Sequence, residues 1–116
     1  MTVKIIRDRT AKNQLRDLAL ETYREMVKAV ADVRRDVIAA GGELHADAEA
    51  ELLKDGSCQK DLWGFNIYLD AGPDEALEFS SLINIRPSEN KSLQIKDPAV
   101  KDKISGLVER LIDWKD

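Results

Sequence analysis

Cysteine is almost missing from the 116 residues: Cys58 stands alone. No intrachain disulfide is therefore available, and the composition fits a reducing compartment. Aromatic residues are scarce at 5%, so aliphatic side chains must fill most of the core. Positive charge is not in excess, with 18 Lys and Arg against 22 Asp and Glu and a net charge of −4. A chain of that sign, without Lys and Arg clustered among aromatics, repels a phosphate backbone, and nucleic acid is not an expected partner. No apolar run approaches the ~18 residues that a membrane span needs. The opening MTVKIIRDR is charged too early for a signal peptide. The expected setting is the cytoplasm, with no membrane partner. The stronger chemical signatures are also missing: no HExxH, no paired CxxC, no Walker loop and no GxSxG.

What is present suits one globular domain over residues 1–116, with 43% apolar and 34% charged residues and enough length to bury a core. Val3–Ile6 is a short β-favouring run, and Thr10 is a credible helix cap. From Ala11 to Ala40 there is no Gly or Pro, and Leu15, Leu18, Thr22, Met26, Val30, Val33 and Val37 recur at helical spacing. Unbroken, that helix would run ~45 Å, too long for a domain with a radius of gyration of roughly 13 Å. A break is expected at Thr22–Arg24, and Gly41-Gly42 is the helix stop.

Leu44–Leu53 sets propensity against pattern. Ala, Glu and Leu favour a helix, but Leu44, Ala46, Ala48, Ala50 and Leu52 alternate with His45, Asp47, Glu49 and Glu51, and the alternation reads as a strand. Leu62–Leu69 is a second strand, with Trp63, Phe65, Ile67 and Leu69 facing inward. Ala71-Gly72-Pro73-Asp74 is a turn by composition. Leu77–Ile85 reads as a third strand ended by Pro87, with Ser80, Asn84 and Arg86 outward and Leu82 breaking the outward polarity. Leu93 and Ile95 suggest a short fourth member. Asp97-Pro98 starts a last helix, whose stripe is Val100, Ile104, Leu107, Val108 and Leu111. The expected fold is α+β: a two-layer, mostly antiparallel β-meander in the order β-α-β-β-β-β-α. Two helices cover one face and the other face stays polar.

The segments GGELHADAEAELLKDGS, DLWG and SLINIRP, flanked by MVKAVADV and LQIKDP, resemble a family of small bacterial and archaeal proteins known only as a domain of unknown function. The likeness spans nearly the whole chain. It implies a small α+β protein and a strand for HADAE, supplies no activity, and implies that Cys58 lies outside any shared chemistry.

Two groups of side chains are candidates for chemistry. On a strand, His45, Asp47 and Glu49 would project from one face ~7 Å apart, a donor set suited to a divalent metal such as zinc, manganese or iron. The competing reading is a solvated sheet face. Asn66, Asn84 and Arg86 would share that face and could fix a carboxylate or phosphate by fork-shaped hydrogen bonding, against a simple cross-strand pairing of Arg86 with Glu49 or Asp47. Trp63, beside the polar loop Asp55–Asp61, is either a clamp for a ligand or a core residue. The first expectation for function is a non-catalytic binding or assembly module that docks a protein partner or forms a homo-oligomer. The second is a metal- or small-anion-binding site, hydrolytic if His45 and Asp47 act together. No cofactor is demanded, and whether the protein is an enzyme is left open.

Overall fold

The structure, a computed structural model, describes residues 1–72 and 75–115. In chain order it runs β1 (Val3–Ile6), β2 (Thr10–Ala11), α1 (Lys12–Leu20), β3 (Met26–Asp32), β4 (Val37–Gly41), α2 (His45–Lys54), β5 (Leu62–Tyr68), β6 (Leu77–Glu78), α3 (Pro98–Leu111) and β7 (Ile112–Asp113). Five strands form one sheet in the order β1-β4-β3-β5-β6, antiparallel at every pairing. β2 and β7 form a separate parallel pair. The α+β class and the antiparallel sheet are as the sequence predicts. The turn at Ala71-Gly72-Pro73-Asp74 lies partly outside the described residues.

Three segments depart from expectation. The helix predicted over residues 11–40 ends at Leu20, and the chain reverses around Arg24, whose φ is 70°. The break falls where expected, but a β3–β4 hairpin follows it rather than more helix. These strands are buried on both sides, with Val27, Ala29, Ala31, Ile38 and Ala40 in one cluster and Val30, Val37 and Ala39 in another. Two-sided burial erases the alternation that marks a strand, and the remaining apolar spacing imitates a helix. The hairpin also turns without Gly or Pro. Asp36 takes the left-handed conformation at φ 61°, and the buried Asp32 carboxylate accepts the N–H groups of Arg34 at 3.0 Å and Arg35 at 2.9 Å, as short acidic side chains do in turns.

The strand predicted over Leu44–Leu53 is α2. Propensity outweighs the alternation, and the sequence supplies a cap: Asp47 accepts the N–H groups of Glu43 at 3.1 Å and Leu44 at 3.0 Å, the returning half of a capping box. Burial falls on His45, Ala48 and Leu52, one helix face. Gly42, at φ 86°, ends β4 rather than a helix, and a Cβ there would meet the Asp47 Cβ at 2.8 Å.

The third predicted strand stops at Glu78. Beyond it Ser80 bridges Gln94 and Arg86 bridges Asn90, with Ser81 N–H donating to Leu93 at 3.0 Å and Ile95 N–H to Phe79 at 3.0 Å, so the fourth member shrinks to a bridge. Leu82–Asn84 coils into a 3₁₀ turn, which buries Asn84 and turns Ile85 outward, reversing the predicted sides.

Two helices cover one face, as expected, and a third lies on the other. α1 and α3 pack Leu15, Leu18, Ile104 and Leu107 against the face that carries Phe65 and Ile67. α2 packs Ala48 and Leu52 against Val30, Ala39 and Leu62 on the opposite face. The face expected to be polar is thus half covered, and the uncovered half holds the candidate site.

Candidate functional site

Three of the predicted ligand-binding residues are consumed by the fold. Asn84 is fully buried. Its Oδ1 accepts Gly64 N–H at 2.8 Å, and its Nδ2 donates to Gly64 O at 2.9 Å and to Leu93 O at 3.2 Å. The carboxamide replaces a strand residue beside β5, because Gly64 lies two residues past the last β5–β6 pair, Asn66 with Glu78, and its peptide groups would otherwise be buried without partners. A Cβ on Gly64 would meet Ser81 Oγ at 2.6 Å, so the close approach requires glycine. Asn90 holds the same loop: its Nδ2 donates to Ser92 O at 2.8 Å and Gln94 O at 2.9 Å, and its Oδ1 accepts Lys96 N–H at 3.0 Å.

Arg86 lies 3.5 Å from the centroid of the Trp63 ring, a cation–π arrangement. It donates to Lys60 O at 3.1 Å and to Leu62 O, and the acid at ion-pair distance is Glu89 at 4.0 Å, with Asp61 and Glu49 acting on it through their charge alone. Burial pulls its pKa down while Glu89 opposes the shift. Trp63 itself is a core residue.

The metal donor set is not assembled. The helix turns Asp47 away from His45 and Glu49, which lie one turn apart on the same side, and among the described residues no three His, Cys, Asp or Glu side chains come together as a metal site. Asp47 is occupied as the cap. His45 is buried at the first position of α2, with Nε2 2.9 Å from Phe65 O. A carbonyl only accepts, so Nε2 carries the proton. Burial pushes the His45 pKa below its ordinary 6.5, partly offset by the Phe65 carbonyl, and the ring is neutral at pH 7.

What the structure does assemble is a concavity of about 340 Å³ between the start of α2 and the 80–83 segment. Its floor comes from the sheet: Lys28 of β3 and Asn66 of β5, which are direct cross-strand partners. His45 and Ala46 form one wall, Ser80 and Ser81 the other. The mouth is apolar. Leu44 is 60% exposed, Leu93 43% and Leu82 77%; Leu82 is the residue that broke the outward polarity of the predicted strand.

Asn66 is the one predicted ligand-binding residue that faces this space. It is 6% exposed. Its Nδ2 donates to Glu78 Oε1 at 2.7 Å, an oxygen that also accepts the Tyr68 hydroxyl at 3.3 Å. Its Oδ1 is buried with no partner at hydrogen-bond geometry, although the carboxamide is near enough to His45 to oppose part of that ring's shift. Sequence reasoning missed Lys28, Ser81 and Leu93 as neighbours of Asn66. Alternation along Met26–Asp32, had it been read as a strand, would have placed Lys28 on the Asn66 side.

The opposite end of α2 carries a polar network that is fully paired. The Asp32 carboxylate, fully buried, accepts the Ser57 hydroxyl at 2.6 Å in addition to its two backbone donors. Arg35 donates to Ser57 Oγ at 2.7 Å and to Asp55 at 2.8 Å, and Arg7 donates to the other Asp55 oxygen. The two guanidinium groups hold the Asp55 carboxyl down at about 2. Cys58 is exposed and free.

The chain belongs to the family described as protein of unknown function DUF5674, which matches residues 4–111. No curated protein and no solved structure matches it. Among the described residues no helix is long and apolar enough to cross a membrane.

Proposed function

We propose that this domain is a non-catalytic binding module and that the concavity beside the start of α2 is its binding site. The observation that carries the reading is Asn66 Oδ1, a buried acceptor left without a partner at the floor of an open space. Most buried polar atoms are satisfied, and each exception needs a physical reason. A ligand that enters the space and donates to that oxygen supplies one. The volume lies at the small end of the roughly 300–1,000 Å³ typical of ligand pockets, and apolar walls with a few converging polar groups are the usual lining. A reaction has less support. His45 Nε2 is occupied by the Phe65 carbonyl, and Ser81 Oγ accepts the N–H of Ile83 at 3.3 Å, so neither pairs as base and nucleophile. The exposed rim leucines suit either a small molecule or a side chain offered by a protein partner.

The test uses N-phenyl-1-naphthylamine, a neutral probe that brightens in apolar sites. The native protein brightens it saturably, and Leu82→Glu, on the exposed rim, weakens binding at least fivefold with an unchanged circular dichroism spectrum. Absence of saturable binding, or equal binding by Leu82→Glu, contradicts the proposal.

A further inference from the structure

We infer that the ligand of this pocket has a neutral head that both donates and accepts hydrogen bonds, of the carboxamide or lactam type, carried on an apolar body. The inference rests on the reading of the concavity as a binding site. Its first support is the sign of what is missing. Asn66 Oδ1 is an acceptor, so its partner must be a donor, and a carboxylate or a fully ionised phosphate has no proton to give. The orientation of Asn66 is fixed from behind: its Nδ2 donates to Glu78 Oε1, an oxygen already held by Tyr68. A flipped carboxamide would set its oxygen against that carboxylate. The unpaired acceptor is therefore a standing feature of the floor.

Charge points the same way. Lys28, whose ammonium lies 5.4 Å from the centroid of the Tyr23 ring, brings one positive charge to the edge of the floor, and Glu78, one hydrogen bond behind Asn66, brings a negative one. The helix N-terminus attracts anions, yet Asp47 already puts a carboxylate in its first turn, where it accepts the N–H groups of Glu43 and Leu44 just ahead of the helix. No net charge is left to hold an ion. A dipolar head fits better: its N–H meets Asn66 Oδ1, and its carbonyl accepts from the Lys28 ammonium. The leucine rim takes the body, and about 340 Å³ accommodates a single ring or a branched chain. A free small amide and a glutamine-type side chain of a partner segment share this chemistry.

The experiment follows backbone amide shifts of Lys28, Ala46 and Leu82 in ¹⁵N-labelled protein during titration with benzamide, benzoate and toluene. Benzamide is expected to bind at least tenfold more tightly than either of the others, and Asn66→Leu to reduce it to the level of toluene. A capped leucine-glutamine-leucine peptide separates the sources. Tighter binding than benzamide assigns the head to a partner segment, and weaker binding assigns it to a free small molecule. Benzoate or toluene binding as well as benzamide overturns the inference. So does absence of benzamide binding while the naphthylamine still binds at the Leu82 rim. Loss of both overturns the binding-site reading as well.

Discussion

At the C-terminal end of α2, Asp32, Ser57, Arg35, Asp55 and Arg7 satisfy one another; at its N-terminal end the carboxamide oxygen of Asn66 is left over. Both regions bury polar groups beside the same helix, and the first looks richer in chemistry. Its acids and bases are nevertheless paired off, so it joins the β3–β4 turn to the loop after α2 and leaves nothing for a ligand. The second has fewer charges, an open space and an unused acceptor. Residue types alone do not separate structure from function here. The state of the hydrogen bonds does.

The largest expected effect comes from breaking the paired region. Asp32→Leu strands the Ser57 hydroxyl and two backbone N–H groups and removes a charge facing Arg35. The expected loss is about 3 kcal/mol or more, as for other buried pairs deprived of one partner, read as a lower midpoint in urea unfolding. A loss below 1 kcal/mol would mean that water replaces these bonds. Next comes Asn84→Ala, which unpairs both peptide groups of Gly64. A loss of about 2–3 kcal/mol is expected, with faster hydrogen exchange at Gly64 as the local readout.

These polar contacts also mark how far the sequence is legible. β5 is readable because Trp63, Phe65 and Ile67 face one core cluster and only one side is crowded by large residues. α3 is readable because Asp97 caps it, accepting Ala99 N–H at 2.9 Å, and Pro98 opens it. β3 and β4 are not, because both their faces are buried and their turn rests on Asp32 and Asp36 rather than Gly or Pro. α2 is misread because its small alanines alternate with acids by accident. Of the site, Asn66 and His45 stand out from the sequence alone. Leu82 stands out only as a break in the outward polarity and Lys28 not at all, because their neighbours depend on β3 and on the 3₁₀ turn at Leu82–Asn84. Asn84 and Arg86 look like ligand-binding groups until the structure shows them bonded to the backbone of β5 and the turn before it.

Acid separates the two ends of α2 in different pH windows, with smaller expected effects. Burial lowers the His45 pKa, so the unfolded chain binds the proton more tightly. Stability is full above the ordinary 6.5 and declines as pH falls below it, and His45→Gln should remove that decline. The arginine pair lowers the Asp55 pKa to about 2. Its contribution is present above the ordinary 3.8 and is lost as pH falls from there toward 2. Asp55→Asn should abolish this second window alone. A single transition unchanged by either substitution would contradict both assignments.

The smallest expected effect is the most telling. Asn66→Leu removes an acceptor that has no partner at hydrogen-bond geometry, only the nearby His45 ring, and a donor whose partner, Glu78, is exposed to water. Measured by equilibrium urea unfolding, its stability should lie within about 0.5 kcal/mol of the native protein, since deleting an unsatisfied polar group costs little. A loss of about 2 kcal/mol, matching Asn84→Ala, would make Asn66 another group that the fold itself requires, and the concavity would no longer have a reason to bind.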